Sequence, residues 1–279
     1  MVERRAPAKI NLGLHVLRKR DDGYHDVETV LHRIGWADTI TVEHADTLAM
    51  TCSDPALPTD ERNLCMQAAL RLAAAFDVDR GAQIHLDKRV PYGAGLGGGS
   101  SDAAATLQAL VQLWDLDATA DDLHTCAAEI GADVPFFLLD APAACATGRG
   151  DELAPLTSNG RPFQLAQSVL VVAPPVSVST PEAYRLVTPN DRARPDVCTL
   201  VASGAVERWQ DELRNDFEAP VARWRPSVAT ARAMLEDAGA TYVSLSGSGT
   251  AVYGLFASED RARATGAAAD RAGARTHLT

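Results

Sequence analysis

The chain has no apolar run near the ~20 residues that a membrane-spanning helix requires, although 46% of its 279 residues are hydrophobic. It has no Cys-x-x-Cys pair. Its five cysteines, Cys52, Cys65, Cys126, Cys145 and Cys198, lie far apart, and their odd number speaks against a disulfide framework. Its seven histidines form no His-x-x-x-His pair, so no zinc site and no other metal-ligating set is expected. It also lacks positive charge. A net charge of −11 suits neither sequence-independent nucleic-acid binding nor long-range capture of anions. Any phosphate must therefore be held locally, by helix N-termini, backbone N–H groups and a few placed cations. The basic start of the chain resembles the opening of a signal peptide, but Lys9, Asn11 and His15 interrupt any apolar stretch. No export signal is read, and a reduced, cytoplasmic setting is expected.

What the chain does have is a size suited to two domains and a core to fill them. Ile10, Leu12, Leu14 and Val16 alternate with Asn11, Gly13 and His15, which predicts a half-buried strand. A turn at "RDDGYH" follows, then strands at "VETVLHRIG" and "DTITVEHA". Helical spacing predicts helices over 63–76 and 101–114, and a third over "ADDLHTCAAEIG" capped by Gly131. The segment 156–162 is the best boundary, giving domains 1–157 and 158–279. The second half reads as strand, helices, hairpin, helix, an α+β order. Its Ala- and Arg-rich tail reads as helix-prone.

The stretch "PYGAGLGGGSSDAA", Pro91 to Ala104, carries most of the chemistry. Gly93-x-Gly95-x-x-Gly98 satisfies the dinucleotide fingerprint, but that fold needs a parallel strand after the helix, and "WDLDATADDLHTCAAEIG" reads as turn and helix. The P-loop pattern needs a Lys directly before its Ser or Thr, and none is present. A glycine loop of another kind remains, with a plain tight turn as its alternative. Glycine lets backbone N–H groups approach a polyphosphate closely. Ser100 and Ser101 sit at the expected helix start, where orphan N–H groups favour an anion.

This stretch resembles the phosphate-binding motif of the GHMP small-molecule kinases. "PAKINLGLHV" resembles that family's first motif and "LSGSGTAVYGLF" its third, in the same order, so the resemblance spans essentially the whole chain. It implies a two-domain α+β fold: an N-terminal domain like the second domain of ribosomal protein S5 and a ferredoxin-like C-terminal domain. It implies ATP as phosphate donor, with Mg2+ carried on the nucleotide. "DGYH", "GADVPFF" and "APPVSVSTPEAY" resemble the branch that phosphorylates a cytidine-diphosphate-linked methylerythritol for isoprenoid synthesis. Homoserine or mevalonate kinases, and a non-catalytic sensor on the same fold, are the alternatives.

Carried over residue by residue, the resemblance implies Asp133 as the base and Lys9 as its cationic partner. An adjacent cation keeps a carboxylate ionised and makes it a weaker base. Without the resemblance, Asp133 reads equally as a turn cap and Lys9 as a solvated edge residue. Pro135 is expected to hold Val134 extended and to make a rigid corner for Asp133. Pro91, Gly93, Gly95, Leu96, Gly97, Gly98, Gly99, Ser100 and Ser101 would cradle ATP, one serine hydroxyl being a candidate Mg2+ ligand. Asn11, Tyr24, His25, Thr180 and Tyr184 would contact the acceptor, with the two tyrosine rings offering faces to cytosine. Gly247 and Ser248 either line the acceptor side or form a structural hairpin. Arg18, Lys19 and Arg20 either attract the diphosphate or are simply solvated. Gly148 and Gly150 have no assigned role.

Overall fold

The strand expected around Lys9 is 18 residues long and is buried on both faces over residues 8–16, Asn11 and His15 included, not half-buried as its alternation implied. In a computed structural model describing residues 1–279, β1 spans Val2–Lys19. After the Asp-Gly turn, β2 runs unbroken over His25–Ala45. Two separate strands were expected here. Gly35 lies outside the left-handed region, and the strand runs through it. Then come β3 (Ala49–Cys52), α1 (Leu64–Ala75), β4 (Gly81–Asp87), α2 (Gly98–Trp114) and α3 (Ala120–Ile130). A 3-10 turn at Pro135–Leu138 leads to β5 (Ala143–Thr147), β6 (Glu152–Pro155) and the small hairpin of β7 (Thr157–Ser158) and β8 (Arg161–Pro162). The remainder is β9 (Ser168–Ala173), α4 (Thr180–Leu186), α5 (Val197–Ala202), α6 (Val206–Glu212), α7 (Glu218–Trp224) and α8 (Pro226–Asp237), then β10 (Tyr242–Leu245), β11 (Val252–Phe256), α9 (Glu259–Arg271) and β12 (Arg275–Leu278).

Contacts divide the chain into two compact units. The first comprises Met1–Ala8, Ala37–Val90 and Gly97–Asp140. In it, β4 pairs antiparallel with the Thr39–Ala45 part of β2 and parallel with β3. Asn63 caps α1, its side chain accepting from the Cys65 N–H at 2.9 Å. A reciprocal Thr119–Asp122 capping box starts α3. Leu107, Leu110, Leu113 and Trp114 of α2 are buried, each stabilising the fold by roughly 1.5–3 kcal/mol. Gly131 does end α3, but at φ 176°, an extended conformation open to any residue.

The second unit comprises Lys9–Trp36, Pro91–Leu96 and Ala141–Thr279. Here β5 pairs antiparallel with the Thr29–His32 part of β2, and β6 pairs with β5. A second sheet, in the order β10-β11-β9-β12, is antiparallel throughout. Its core holds Leu170, Val172, Phe217, Leu235, Val243 and Phe256. The tail is not all helix: after α9 the chain turns at Gly273 and adds β12 to the sheet edge. The cysteine reading also needs correction. Cys145 on β5 and Cys198 on α5 form a disulfide with Cα atoms 5.7 Å apart, a pair that no local spacing could reveal because 53 residues separate them.

His32 on β2 is buried, and that burial pushes its pKa down from 6.5 to about 4. Its Nε2 faces the Leu165 N–H at 3.4 Å. The folded state therefore resists protonation that the unfolded chain accepts. Stability from this group is complete above pH 6.5 and is lost as pH falls towards 4, by on the order of 3 kcal/mol. Urea unfolding between pH 7 and 4 should show a shallower acid loss for His32→Gln than for the parent. An identical loss in both would contradict the assignment.

Candidate active site

Lys9 enters β1 among apolar neighbours and is only 4% exposed, which rules out a solvated edge residue. A buried ammonium needs partners. Its Nζ donates to Asn11 Oδ1 at 2.5 Å and to the Gly95 carbonyl at 3.2 Å. Asn11 in turn donates from Nδ2 to Thr29 Oγ1 at 3.0 Å, and Thr29 donates to the Gly13 carbonyl. Both ends of the Asn11 amide thus work inside the protein, holding Lys9. Ser246 completes the arrangement by donating to the same Gly95 carbonyl at 2.9 Å. The lysine, the glycine loop and the third glycine-rich segment meet at one oxygen.

The loop and the turn after β10 touch backbone to backbone. A Cβ built on Gly95 would lie 2.1 Å from the Ser246 carbonyl oxygen, and one on Gly249 would lie 2.1 Å from Gly95 N. The Ala94 carbonyl accepts the N–H groups of Thr250 and Ala251 at 3.1 and 2.9 Å. Gly247 packs its α-carbon against Asn11 and Lys9, the hypothetical Cβ being 3.1 Å from Asn11 Oδ1 and 3.4 Å from Lys9 Nζ. This turn is therefore structural and also walls the lysine. Ser248 reaches Thr180 Oγ1 at 3.5 Å, long for a hydroxyl pair.

Asn215, just before α7, was not anticipated from the sequence. Its Nδ2 donates to the carbonyls of Leu245 and Gly247 at 2.8 and 2.9 Å, and its Oδ1 accepts from the Phe217 N–H at 2.9 Å. One buried amide fixes the turn from behind.

In the first unit, the sequence expectation of a serine-started helix is corrected. Gly97, at φ 66°, is the N-cap, and α2 begins at Gly98. The Ser101 N–H already bonds the Gly97 carbonyl at 2.9 Å, and the Ser101 hydroxyl is buried without a partner. The free donors at this helix start belong to Gly98, Gly99 and Ser100. Gly99 is exposed, helical and uncrowded. A Cβ there would meet only Leu64 Cδ1 at 3.6 Å, so nothing inside the fold demands a glycine.

Beneath this helix start lies a buried ion cluster that the sequence did not announce. Lys88 Nζ bonds Asp38 at 2.5 Å and Asp102 at 2.8 Å. Asp38 also accepts the Arg89 and Val90 N–H groups, anchoring the strand that enters the loop. Burial would lower the Lys88 pKa, but Asp102 and Asp38 outweigh it and raise it. Burial drives the Asp102 pKa up, with Lys88 opposing and Asp38 assisting.

Asp133 is half-buried in the turn between α3 and the 3-10 segment. Val134 is helical there, at φ −62° and ψ −45°, and not extended as expected ahead of Pro135. Its N–H closes a turn on the Gly131 carbonyl at 3.1 Å, and the burial of Val134 and Phe136 holds that conformation. The corner is rigid for this reason.

The "DGYH" turn belongs to the second unit. Arg18 and Arg20 both bond Asp26, and Arg20 also bonds Asp22, so these arginines brace the turn. Tyr24 is 58% exposed. His25 stacks on Tyr184 with ring centres 4.6 Å apart, and Phe217 meets the Tyr184 ring edge-on at 4.9 Å. One Tyr184 face is thus taken by His25. Burial, then the Lys19 charge, lowers the His25 pKa, so the ring is neutral at pH 7.

Replacing Asn215 by Ala would strand two buried carbonyls and one N–H. The expected loss is about 2–4 kcal/mol of stability, read from the urea midpoint. A loss under 0.5 kcal/mol would show that the turn does not depend on it.

A model of the GHMP kinases N terminal domain matches residues 63–141, and one of the GHMP kinases C terminal matches residues 199–275. A Salinibacter ruber protein named 4-diphosphocytidyl-2-C-methyl-D-erythritol kinase is 59% identical over 98% of this chain and 96% of its own. A protein of the same name from Chlorobium chlorochromatii is 45% identical over 94% and 91%. A crystal structure of 4-(cytidine 5'-diphospho)-2C-methyl-D-erythritol kinase superposes with a TM-score of 0.81 at 36% identity, covering 99% of this chain and 98% of that one. Mevalonate kinase shares the fold alone, at TM-score 0.76 and 12% identity. The two domain models and these full-length relatives make the chain a member of the GHMP kinase family.

Proposed function

We propose that the chain transfers the γ-phosphoryl group of ATP to the 2-hydroxyl of 4-diphosphocytidyl-2-C-methyl-D-erythritol, a step of non-mevalonate isoprenoid synthesis. The observation that carries the kinase reading is the buried Lys9 ammonium bonded to the Gly95 carbonyl, which ties a cation to the glycine loop. The names of the relatives and the exposed aromatic turn at Tyr24 support the acceptor.

On this reading the N–H groups of Gly98, Gly99 and Ser100 receive phosphate oxygens of ATP, helped by the positive end of α2. Pro91, Gly93, Gly95, Leu96 and Gly97 shape the loop, and the bare Gly99 lets the phosphates approach. Lys9 stabilises charge on the transferring group, and Asp133 accepts the proton of the 2-hydroxyl. The new bond joins that oxygen to phosphorus as the bond to the ADP oxygen breaks. Tyr24 offers a ring face and His25 neutral-ring hydrogen bonds to the cytosine; Tyr184 supports His25. Thr180, Ser248 and Gly247 line the acceptor side, while Asn11 acts by holding Lys9.

No group of three or more His, Cys, Asp or Glu side chains could hold a metal ion. A divalent ion would arrive on the nucleotide, and the Ser100 hydroxyl would be a candidate protein ligand for it, the Ser101 hydroxyl being buried. Bound there, it would neutralise phosphate charge. We place the domain boundary at 157/158 and the enzyme in the cytoplasm, where ATP is made. No helix is long and apolar enough to cross a membrane.

ADP release measured with each candidate alcohol tests the assignment. The cytidylylated substrate should turn over, and Asp133→Ala should lower kcat by roughly 10²–10⁴ with the ATP KM nearly unchanged. Turnover of mevalonate or homoserine in its place would overturn the acceptor.

A further inference from the structure

The turn between β5 and β6 carries an arginine framed by two left-handed glycines, Gly148 at φ 64° and Gly150 at φ 95°. The Gly148 carbonyl accepts the Val27 N–H at 2.8 Å, which fastens this turn to the strand leaving the "DGYH" segment. Asp151 then holds Arg149 from one side. Its Oδ1 accepts the Arg149 backbone N–H at 3.1 Å, and its Oδ2 accepts from Nε at 2.9 Å and Nη2 at 2.5 Å. The guanidinium so fixed lies over the Tyr24 ring, with Cζ 5.2 Å from the ring centre. Tyr24 itself is held at its backbone, its N–H donating to Asp22 Oδ1 at 3.1 Å and its carbonyl accepting from Arg20 at 2.8 Å.

An exposed tyrosine on a turn would otherwise sample several ring orientations, and a ligand that stacks on it must first select one. A planar cation on one face removes that freedom and leaves the opposite face open. Arg18 and Arg20 bond Asp26 and Asp22, whereas Arg149, held by Asp151 in the same manner, is the arginine that lies over the Tyr24 ring. We infer that Arg149 is a positioning residue for nucleobase recognition, clamping the Tyr24 ring so that its free face receives the pyrimidine of a cytidine diphosphate. This rests on the proposed reading of Tyr24 as a base-stacking residue. It gives the Gly-Arg-Gly turn a purpose: the two glycines let the chain reverse around Arg149, and Asp151 aims it.

Four variants separate the possibilities: Arg149→Ala, Arg149→Lys, Tyr24→Ala and the Arg149→Ala/Tyr24→Ala double variant. Each is assayed for kcat and both KM values, and for binding of CDP alone by calorimetry. Arg149→Ala should raise the acceptor KM and the CDP Kd by about three- to tenfold, with kcat and ATP KM unchanged. Arg149→Lys, which keeps the charge without the planar clamp, should fall between. In the Tyr24→Ala background the second substitution should add nothing. An equal effect in both backgrounds would show Arg149 acting directly on the diphosphate or through the fold, and would overturn the clamp. So would an unchanged CDP Kd in Arg149→Ala beside a weakened one in Tyr24→Ala. Unchanged CDP binding in Tyr24→Ala would instead remove the stacking role of Tyr24, and the clamp with it.

Discussion

No side chain fits between the loop at Gly95 and the turn at Gly249, and much else follows from that exclusion. Two backbones in contact bring the Gly95 carbonyl within reach of Lys9 and Ser246 together. The same contact lets the Ala94 carbonyl accept the N–H groups of Thr250 and Ala251, just ahead of β11. Asn215 supports the turn from behind and Asn11 supports the lysine from the side. Lys9 is thus held in part by main-chain geometry, which tolerates little drift. In this setting the glycines of the loop serve two different ends. Gly95 is demanded by the protein itself, whereas Gly99 is demanded by nothing in the protein, which suits the phosphate contact proposed for it.

Charge is handled by the same local logic. With a net charge of −11, the molecule offers no general attraction to a nucleoside triphosphate. Its useful positive charge is concentrated in buried or anchored places. Lys9 donates to the Gly95 carbonyl and to the Asn11 amide oxygen, which ties it to the loop. Two carboxylates surround Lys88, and its work is to hold the entry to the loop in place. Arg149 is spent on Asp151 and on an aromatic face.

The three motifs and their order were legible because glycine, serine and proline clusters speak through local backbone geometry. The strand around Lys9 was legible through alternation, and β9 and the β10–β11 hairpin through short apolar runs beside proline and glycine turns. What was not legible needed partners distant in sequence. The start of α2 moved to Gly98 because Gly97 adopts a left-handed cap, an outcome that five neighbouring glycines leave ambiguous. Val134 turned helical because burial of the following phenylalanines outweighed the preference set by Pro135. Asn215 bonds residues 30 and 32 positions away, Asp38 bonds Lys88 50 positions away, and Cys145 meets Cys198 across 53. A lone polar residue in an apolar stretch was the only available signal for these, and it does not name its partner.

Melting Gly95→Ala and Gly99→Ala beside the parent, and measuring the ATP KM of each, tests the assignment of Gly95 to the fold and of Gly99 to the ligand. Gly95→Ala should melt lower by several degrees or fail to fold, since its Cβ has nowhere to go. Gly99→Ala should melt at or slightly above the parent, gaining up to roughly 1 kcal/mol from helix propensity, while its ATP KM rises. A Gly95→Ala protein that melts with the parent, or a Gly99→Ala protein with unchanged ATP KM, would contradict that assignment.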